Sequence, residues 1–255
     1  MSRALKLAAS LATTLLVSTS IPAHAADPLV IWGVVHDQCA LNQQQHGDPK
    51  PCASVDLAGG SAVLKDASPK KPNQFLLIPT IRVTGIESPD LLKPGAPNYF
   101  AAAWKARTNL DGLVHKTLPR DDVALVINSV AGRTQEQLHI HIDCIQTEAR
   151  DALRRERDKI GVSWTVLGSE LSGRHYRVRR IDGAELGAAN PFELLADGIE
   201  GAKADMGGHA LILTGATFTD GKPGFYLLED HTDLAAGQRA RGEDLIDTSC
   251  AVAKE

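Results

Sequence analysis

The chain has 255 residues, of which 43% are hydrophobic and 23% are charged. These fractions exclude a disordered chain, a collagen-like repeat and a protein with many membrane spans, and the length allows one large domain or two small ones. With a net charge of −4 and only 4% aromatic residues, the chain offers neither a basic surface nor stacking platforms, so nucleic acid is not an expected partner.

Residues 1–25 have the pattern of a secretory signal peptide. Two basic residues precede an apolar run over residues 7–17, and a small-x-small cleavage site ends at Ala25. Serine and threonine interrupt the run, which is short for the ~20 residues that a spanning helix needs. We therefore predict cleavage after Ala25. An uncleaved N-terminal anchor is the alternative.

Four cysteines in an exported chain predict disulfides. Cys39, Cys52, Cys144 and Cys250 form an even set, and an oxidising compartment favours two bridges over four thiols. Three pairings are open from the sequence. Cys39–Cys52 is the natural local bridge because it closes a short polar loop, and Cys144–Cys250 would then tie the C-terminal tail to the middle of the chain. A structural zinc site is the alternative, but no pair has the close spacing of zinc ligands.

Hydrophobic periodicity and turn residues predict both helices and strands in the first half of the chain. In chain order, we expect a short helix at 29–35, strands at 61–64 and 75–78, a helix from the capping residue Asn98 to about 113, strands at 123–128 and 137–145, and a helix at 147–160. The turn-rich connector between the first two strands predicts a hairpin.

The second half mixes the same kinds of element. We expect a strand at 176–181, a helix at 191–197, and a hairpin formed by 209–214 and 224–229. Hairpins rather than alternating βαβ units indicate an α+β fold built on an antiparallel sheet. Any boundary between two units lies within 160–174.

The strand around His139 contains the most informative pattern. Alternation places Gln137, His139, His141 and Asp143 on one face, while the leucine and isoleucines between them point into a core. Two imidazoles on one rigid strand suit a nucleophile and a proton donor. A solvated sheet face with incidental histidines is the alternative.

A turn that could hold a phosphate lies just before this strand. Gly132, Arg133 and Thr134 follow Asn128 at the end of the preceding apolar strand. Such a turn offers backbone N–H groups and a hydroxyl to an anion. The guanidinium of Arg133 adds a positive charge suited to a diphosphate.

These motifs resemble those of the histidine-triad (HIT) superfamily. The run 137–142 is similar to its strand of alternating histidines, and 132–134 is similar to its Gly-x-Ser/Thr turn. The hairpin at 66–79 resembles its nucleotide pocket, and the helix at 98–113 lies where its long helix is expected. The resemblance implies further pocket residues, which are Lys65, Asp66, Phe75 and Ile78.

Within that superfamily the chain resembles bacterial CDP-diacylglycerol diphosphatases most. The matching stretches include 42–45, 51–53, 63–66, 87–89, 127–129 and 190–192, and they extend over most of the chain, the four cysteines included. The resemblance implies a hydrolase of phospholipid metabolism that releases CMP and phosphatidate. It acts through a nucleotidyl-histidine intermediate, with no metal and no other cofactor.

The resemblance also implies a role for each residue. His139 matches the nucleophile, and His141 and Thr134 would bind the phosphoryl oxygens as further catalytic residues. The remaining expected substrate-binding residues are Asn128, Gly132, Arg133 and Gln137. One departure is that Gln137 replaces the first histidine of the triad, and its amide cannot titrate.

The resemblance further implies an architecture and a location. Residues 26–165 would form a catalytic HIT-like half and residues 166–255 a degenerate half, so that a monomer is an internal pseudo-dimer with one active site. The expected substrate is a lipid-linked nucleotide, and the protein would act on it in the periplasm or at the periplasmic face of the inner membrane. The basic helix residues Arg154, Arg155 and Arg157 would either dock on anionic lipid or form a solvated face.

Two other functions are compatible with the motifs. His139, His141 and Asp143 form a His-x-His-x-Asp pattern that a metal-dependent phosphoesterase could use. A periplasmic module that binds a nucleotide or a lipid without turnover is the other alternative, and the replacement at Gln137 favours it.

Overall fold

The computed structural model describes residues 27–255, so the predicted signal peptide lies outside the described residues. Nine strands form one antiparallel sheet in the order β1-β2-β3-β5-β4-β8-β9-β7-β6. The α+β class predicted from the sequence is confirmed. The strands are β1 Ser54–Asp56, β2 Ser61–Lys65, β3 Phe75–Pro79, β4 Val123–Ile127, β5 Ile140–Cys144, β6 Thr165–Val166, β7 Arg177–Asp182, β8 His209–Thr217 and β9 Pro223–His231.

Within residues 27–255, six α-helical segments accompany the sheet. They are α1 Val30–Gly33, α2 Leu41–His46, α3 Tyr99–Ala106, α4 Thr108–Val114, α5 Thr147–Glu156 and α6 Pro191–Gly198. A π-helical stretch, Val34–Ala40, joins α1 to α2, so this N-terminal helix is longer than the sequence predicted. Asn98 caps α3 as expected, because its Oδ1 accepts a hydrogen bond from the Ala101 N–H at 3.1 Å.

The two faces of the sheet are covered differently. Helices α3, α4 and α6 pack on one face, where Trp104, Phe100 and Phe192 are fully buried. On the other face, the N-terminal helix covers β2 and β3, and α5 covers β4, β8 and β9. Because side chains alternate along a strand, β5 sends Ile140 and Ile142 to the first face and His141 to the second. The histidines therefore lie in the gap between two covering elements.

Apart from the edge strand β1, the strand order is symmetrical about the β4–β8 pair. Strand β4 pairs with β8 through contacts such as Leu125 with Leu213. From this pair outward, the first half of the chain contributes β4, β5, β3 and β2, and the second half contributes β8, β9, β7 and β6. The predicted boundary region, 160–174, contains β6, the outermost strand of the second set, and the sheet is continuous from one set to the other.

Both disulfides have the pairing favoured in the sequence analysis, in which Cys39–Cys52 closes a short loop and Cys144–Cys250 is the second bridge. Cys39–Cys52 fixes the N-terminal helix to the segment that precedes β1, with Cα atoms 5.6 Å apart. Cys144–Cys250 joins β5 to the C-terminal segment, with Cα atoms 5.2 Å apart. Two disulfides fit an exported protein. Within residues 27–255, no helix combines the length and apolarity needed to cross a membrane.

Candidate active site

A cavity of about 680 Å³ lies over β5, between the N-terminal helix and the C-terminal segment. Its lining has two parts. One wall is apolar and includes Val30, Ile31, Val34, Leu64 and Leu76. The floor and opposite wall are polar and contain both histidines of β5. A cavity of this size and mixed lining suits a small-molecule substrate with one charged and one apolar part.

His139 has one ring nitrogen fixed and the other free. Its Nδ1 lies 2.7 Å from the backbone carbonyl of Gln137, and because a carbonyl only accepts, Nδ1 donates this bond. The remaining nitrogen, Nε2, then has an unprotonated lone pair. Burial lowers the pKa of His139, although the carbonyl of Gln137 opposes that shift. The imidazole is therefore neutral at pH 7 and ready to act as a nucleophile.

His141 is held by a chain of side-chain hydrogen bonds. Its Nδ1 donates to Gln74 Oε1 at 2.8 Å, and Gln74 Nε2 donates to Asp143 Oδ2 at 3.2 Å. Burial lowers the pKa of His141 to about 3, against the opposing charge of Glu243. Its Nε2 is buried without a hydrogen-bond partner among the described residues. Because Nδ1 has the proton of the neutral ring, this Nε2 is an acceptor, and it can donate to a substrate oxygen only when the ring is protonated.

Glu243 is the acidic centre of the cavity. Its Oε1 lies 2.5 Å from Lys71 Nζ, and its Oε2 accepts a hydrogen bond from Asn128 Nδ2 at 2.8 Å. Burial alone would raise the pKa of Glu243, but His141, Lys71 and Asn128 lower it to about 2. Its Oε2 also lies 3.6 Å from His141 Nε2. A permanent negative charge thus faces the imidazole that lacks a partner.

Two cations lie close to this carboxylate, and a third lines the same cavity. Besides Lys71, Arg241 Nη2 lies 3.8 Å from Glu243 Oε2, and Lys65 lines the same cavity. Lys65 Nζ donates to the backbone carbonyls of Asp66 and Lys71, both at 3.1 Å. The carboxylate of Asp66 lies 3.9 Å from Lys71. The cavity therefore offers positive charge to an anion while its lysines are held in place.

The turn before β5 lies at the cavity as the sequence predicted. Gly132 and Thr134 line the cavity together with Asn128. The Gly132 N–H donates to Ser129 Oγ at 3.0 Å. A Cβ at Gly132 would lie 2.9 Å from Arg241 Cγ and 3.0 Å from a backbone carbonyl, so only glycine allows this close approach. The turn is thereby packed against the segment that supplies Arg241.

Comparison with known proteins identifies the family. The family model for CDP-diacylglycerol pyrophosphatase matches residues 26–254. The chain is also 41% identical over 222 residues to a CDP-diacylglycerol pyrophosphatase of Yersinia pestis, covering 87% of this chain and 84% of that one. The chain belongs to the CDP-diacylglycerol pyrophosphatase family. This membership confirms the resemblance to bacterial CDP-diacylglycerol diphosphatases, since pyrophosphatase and diphosphatase name the same activity.

Among solved structures, the comparison found a DUF4931 family protein of Bacillus cereus. It is 12% identical in sequence, with a TM-score of 0.41 over 80% of this chain and 95% of that one.

Two residues that were predicted to bind substrate through polar groups do not line this cavity, although both border a small pocket beside His139. Arg133 donates to both carboxylate oxygens of Glu87, at 2.5 and 2.7 Å, and does not line the cavity. Gln137 is fully buried, and its Nε2 donates to the carbonyls of Pro79 and Ile81 at 3.2 and 3.0 Å. The first residue of the triad pattern in this member of the family therefore holds a loop in place.

The two apolar pocket residues predicted on β3 also lie outside the cavity. Phe75 pairs with Ile142 and points to the opposite face of the sheet. Ile78 points to the correct face but is covered by Val35 and its neighbours in the N-terminal helix. Leu76, which lies directly across from His141, is the β3 residue that lines the cavity.

Several site residues had no signal in the sequence. Lys71 lies in a turn and Gln74 just before a strand, and neither position has a motif. Arg241 and Glu243 come from the C-terminal segment, in the half expected to be degenerate, and the helical turn Gly242–Leu245 brings them to β4. The site of this family member is therefore built from both halves of the chain.

The metal-dependent alternative is not supported by the geometry. Asp143 Oδ1 accepts the Cys144 N–H at 2.8 Å and its other oxygen binds Gln74, so both oxygens are occupied. Burial raises the pKa of Asp143 to about 7, although these hydrogen bonds oppose the shift. Over residues 27–255, no cluster of close ligand atoms contains His139, His141 and Asp143 together.

Proposed function

We propose that this protein hydrolyses CDP-diacylglycerol to CMP and phosphatidate, with His139 as the nucleophile. Family membership supports the substrate and the reaction. The observation that supports the mechanism is the bond from His139 Nδ1 to the carbonyl of Gln137, which leaves Nε2 free in the cavity. A neutral imidazole held in this tautomer is an activated nucleophile.

In the first step, the lone pair of His139 Nε2 attacks the phosphorus that bears cytidine. A P–N bond forms, and the bond from that phosphorus to the bridging oxygen breaks. The electron pair of this bond leaves with phosphatidate, which needs no strong general acid because it is a stable anion. The product on the protein is a cytidylyl-histidine intermediate.

In the second step, water attacks the same phosphorus. The P–N bond breaks, its electron pair returns to Nε2, CMP leaves, and the proton of the water passes to solvent. In both steps charge develops on the phosphoryl oxygens. The Thr134 hydroxyl, and His141 Nε2 in the protonated form of the ring, would bind these oxygens from the lining of the cavity. Glu243 would favour the protonated, donating form of His141 once the anionic substrate is bound.

The lining of the cavity fits both parts of this substrate. Lys65, Lys71 and Arg241 give the polar side the positive charge that a diphosphate requires. The wall formed by the N-terminal helix is apolar, and Val30 at its start is half exposed. A diacylglycerol chain leaving the cavity along this wall would stay out of water.

Trapping of the intermediate tests this proposal. The protein is mixed with CDP-diacylglycerol labelled at the cytidine-bearing phosphate and denatured at alkaline pH, where P–N bonds persist. We expect label on the wild type and on His175→Ala, an exposed histidine far along the chain, and none on His139→Ala. Label on His139→Ala would refute the assignment, and tight binding without CMP release from the wild type would favour the non-catalytic binder.

We further propose that residues 166–255 are a degenerate copy of residues 26–165, so that the active unit is a monomer. The mirrored strand orders on the two sides of the β4–β8 pair support this relation. Sedimentation of active protein at the mass of one chain is the expected result. Activity found only in a dimer would contradict it.

We also propose action in the periplasm at a membrane surface. The disulfides and the lipid part of the substrate support this location. The basic helix contributes less free charge than its sequence suggested, because Arg154 donates two hydrogen bonds to Asp121 at 2.8 and 2.7 Å. Sedimentation with anionic vesicles tests whether Arg154, Arg155 and Arg157 matter, and equal binding by the triple alanine variant would exclude docking through this helix.

A further inference from the structure

A second group of metal-ligating side chains lies at the end of the β8–β9 hairpin. His209 begins β8 and His231 ends β9, and the register places them opposite each other with ring centroids 4.6 Å apart. Asp205, in the turn before β8, has its Oδ2 2.9 Å from His231 Nε2. The ligand atoms of all three residues lie within 4.8 Å of one another. This group lies on the face of the sheet opposite the catalytic histidines.

His209 is oriented as metal-binding histidines commonly are. It is buried, and its Nδ1 donates to Glu229 Oε1 at 2.6 Å, which leaves the lone pair of Nε2 available to a metal ion. The other oxygen of Glu229 accepts from Arg177 Nη1 at 3.0 Å. A carboxylate behind the imidazole fixes its tautomer and the orientation of the ring. The hydrogen bonds thus prepare Nε2 of His209 as a ligand.

A glycine keeps space beside the other two ligands. A Cβ at Gly208 would lie 2.7 Å from Asp205 Oδ2 and 2.8 Å from His231 Nε2. The φ angle of Gly208 is not in the left-handed region, so space is the feature that requires glycine here. The side chains of Asp205 and His231 are 62% and 44% exposed. An ion could therefore reach the group from solvent.

We propose that Asp205, His209 and His231 bind one Zn²⁺, with water as the fourth ligand. Two imidazoles and one carboxylate are a common zinc ligand set, and closure from 4.8 Å needs only small rotations of the two exposed side chains. The ion replaces the hydrogen bond between Asp205 and His231. This inference is independent of the proposed function.

The zinc would stabilise the turn 205–208, which is hydrogen-bonded to the proposed phosphate-binding turn before β5, residues 128–134. The carbonyl of Gly207 accepts the Val130 N–H at 2.9 Å, and Val130 lies between Asn128 and Gly132. The carbonyl of Gly208 accepts the Thr232 N–H at 2.9 Å. An ion that joins Asp205 to the hairpin therefore holds the backbone on which the loop rests. The role is structural, and the reaction at His139 does not involve this ion.

Equilibrium dialysis of the full chain against zinc chloride, with metal analysis, tests the proposal. We expect one zinc per chain for the wild type, and binding at least about ten-fold weaker for Asp205→Ala and for His231→Ala. Both substitutions are at exposed side chains and should leave the fold intact. Glu229→Gln should weaken binding by about 10–100-fold through His209. Cobalt(II) should give visible d–d bands in the wild type and lose them in the alanine variants.

Two controls separate this site from other histidines. His175→Ala removes an exposed histidine outside the group, and His141→Ala removes one from the active-site cavity. We expect both to bind zinc as the wild type does. The proposal is overturned if the wild type binds no stoichiometric zinc, if Asp205→Ala and His231→Ala bind it unchanged, or if His141→Ala alone abolishes binding.

Discussion

Gln137→Leu tests whether the residue at the first triad position has a structural role. The Gln137 side chain is fully buried and makes four hydrogen bonds to the segment 79–83. Two of its partners, the Pro79 carbonyl and the Val83 N–H, are buried. Leucine has nearly the same volume but cannot bond to them. Each buried polar group left without a partner costs about 1–3 kcal/mol, so for two such groups we expect a loss of about 2–6 kcal/mol of unfolding free energy.

Urea unfolding followed by tryptophan fluorescence measures this loss. Gln45→Leu, on the exposed face of α2, is the matched control and should stay within about 0.5 kcal/mol of the wild type. The kcat of folded Gln137→Leu should remain close to that of the wild type, because the bond that orients His139 uses the backbone carbonyl of residue 137. Unchanged stability together with a large fall in kcat would refute the structural role.

The other predictions concern pH and the disulfides. Since burial lowers the pKa of His139, its nucleophilic neutral form persists on acidification, and the acid limb of kcat/KM should have its midpoint below the ordinary histidine value of 6.5. A pH–rate profile with that midpoint at or above 6.5 would contradict this. Cys144–Cys250 closes a loop of 106 residues and Cys39–Cys52 one of 13, so losing the long bridge should cost about 2 kcal/mol more. Urea unfolding of the two double serine variants measures the difference, and equal losses would count against a chain-entropy origin.

Local patterns in the sequence predicted most elements of the fold. The alternation around His139 placed the two histidines on one face, and Asn98 marked the start of α3. The predicted ends of an element differ from the observed ends where tertiary contacts extend or shorten that element. Strand β5 begins at Ile140 rather than at residue 137, because the Gln137 side chain bonds to a loop there. The N-terminal helix extends to His46, where a disulfide and the apolar side chains of β2 and β3 hold it.

The candidate site was only partly predictable. His139, His141, Thr134 and Gly132 belong to one short stretch, and their motif was sufficient to place them in the cavity. Arg133 belongs to the same motif, but its charge is neutralised by Glu87. No local pattern could predict this partner, because it lies 46 residues away in the sequence. Phe75 was assigned to the wrong face because the resemblance indicated a hairpin but not its register.

The sequence by itself determined the family, the α+β class and which side chains of β5 share a face. These properties depend on the order of residues along one element, since period-two alternation is local. Only the tertiary structure decided what covers that face. Glu243 and Arg241 reach His141 from a segment about one hundred residues away, because the sheet order and the Cys144–Cys250 bridge bring the C-terminal segment over β5. Contacts of this kind depend on which strands pair with each other. The hydrophobic periodicity of a single strand contains no information on its pairing partner.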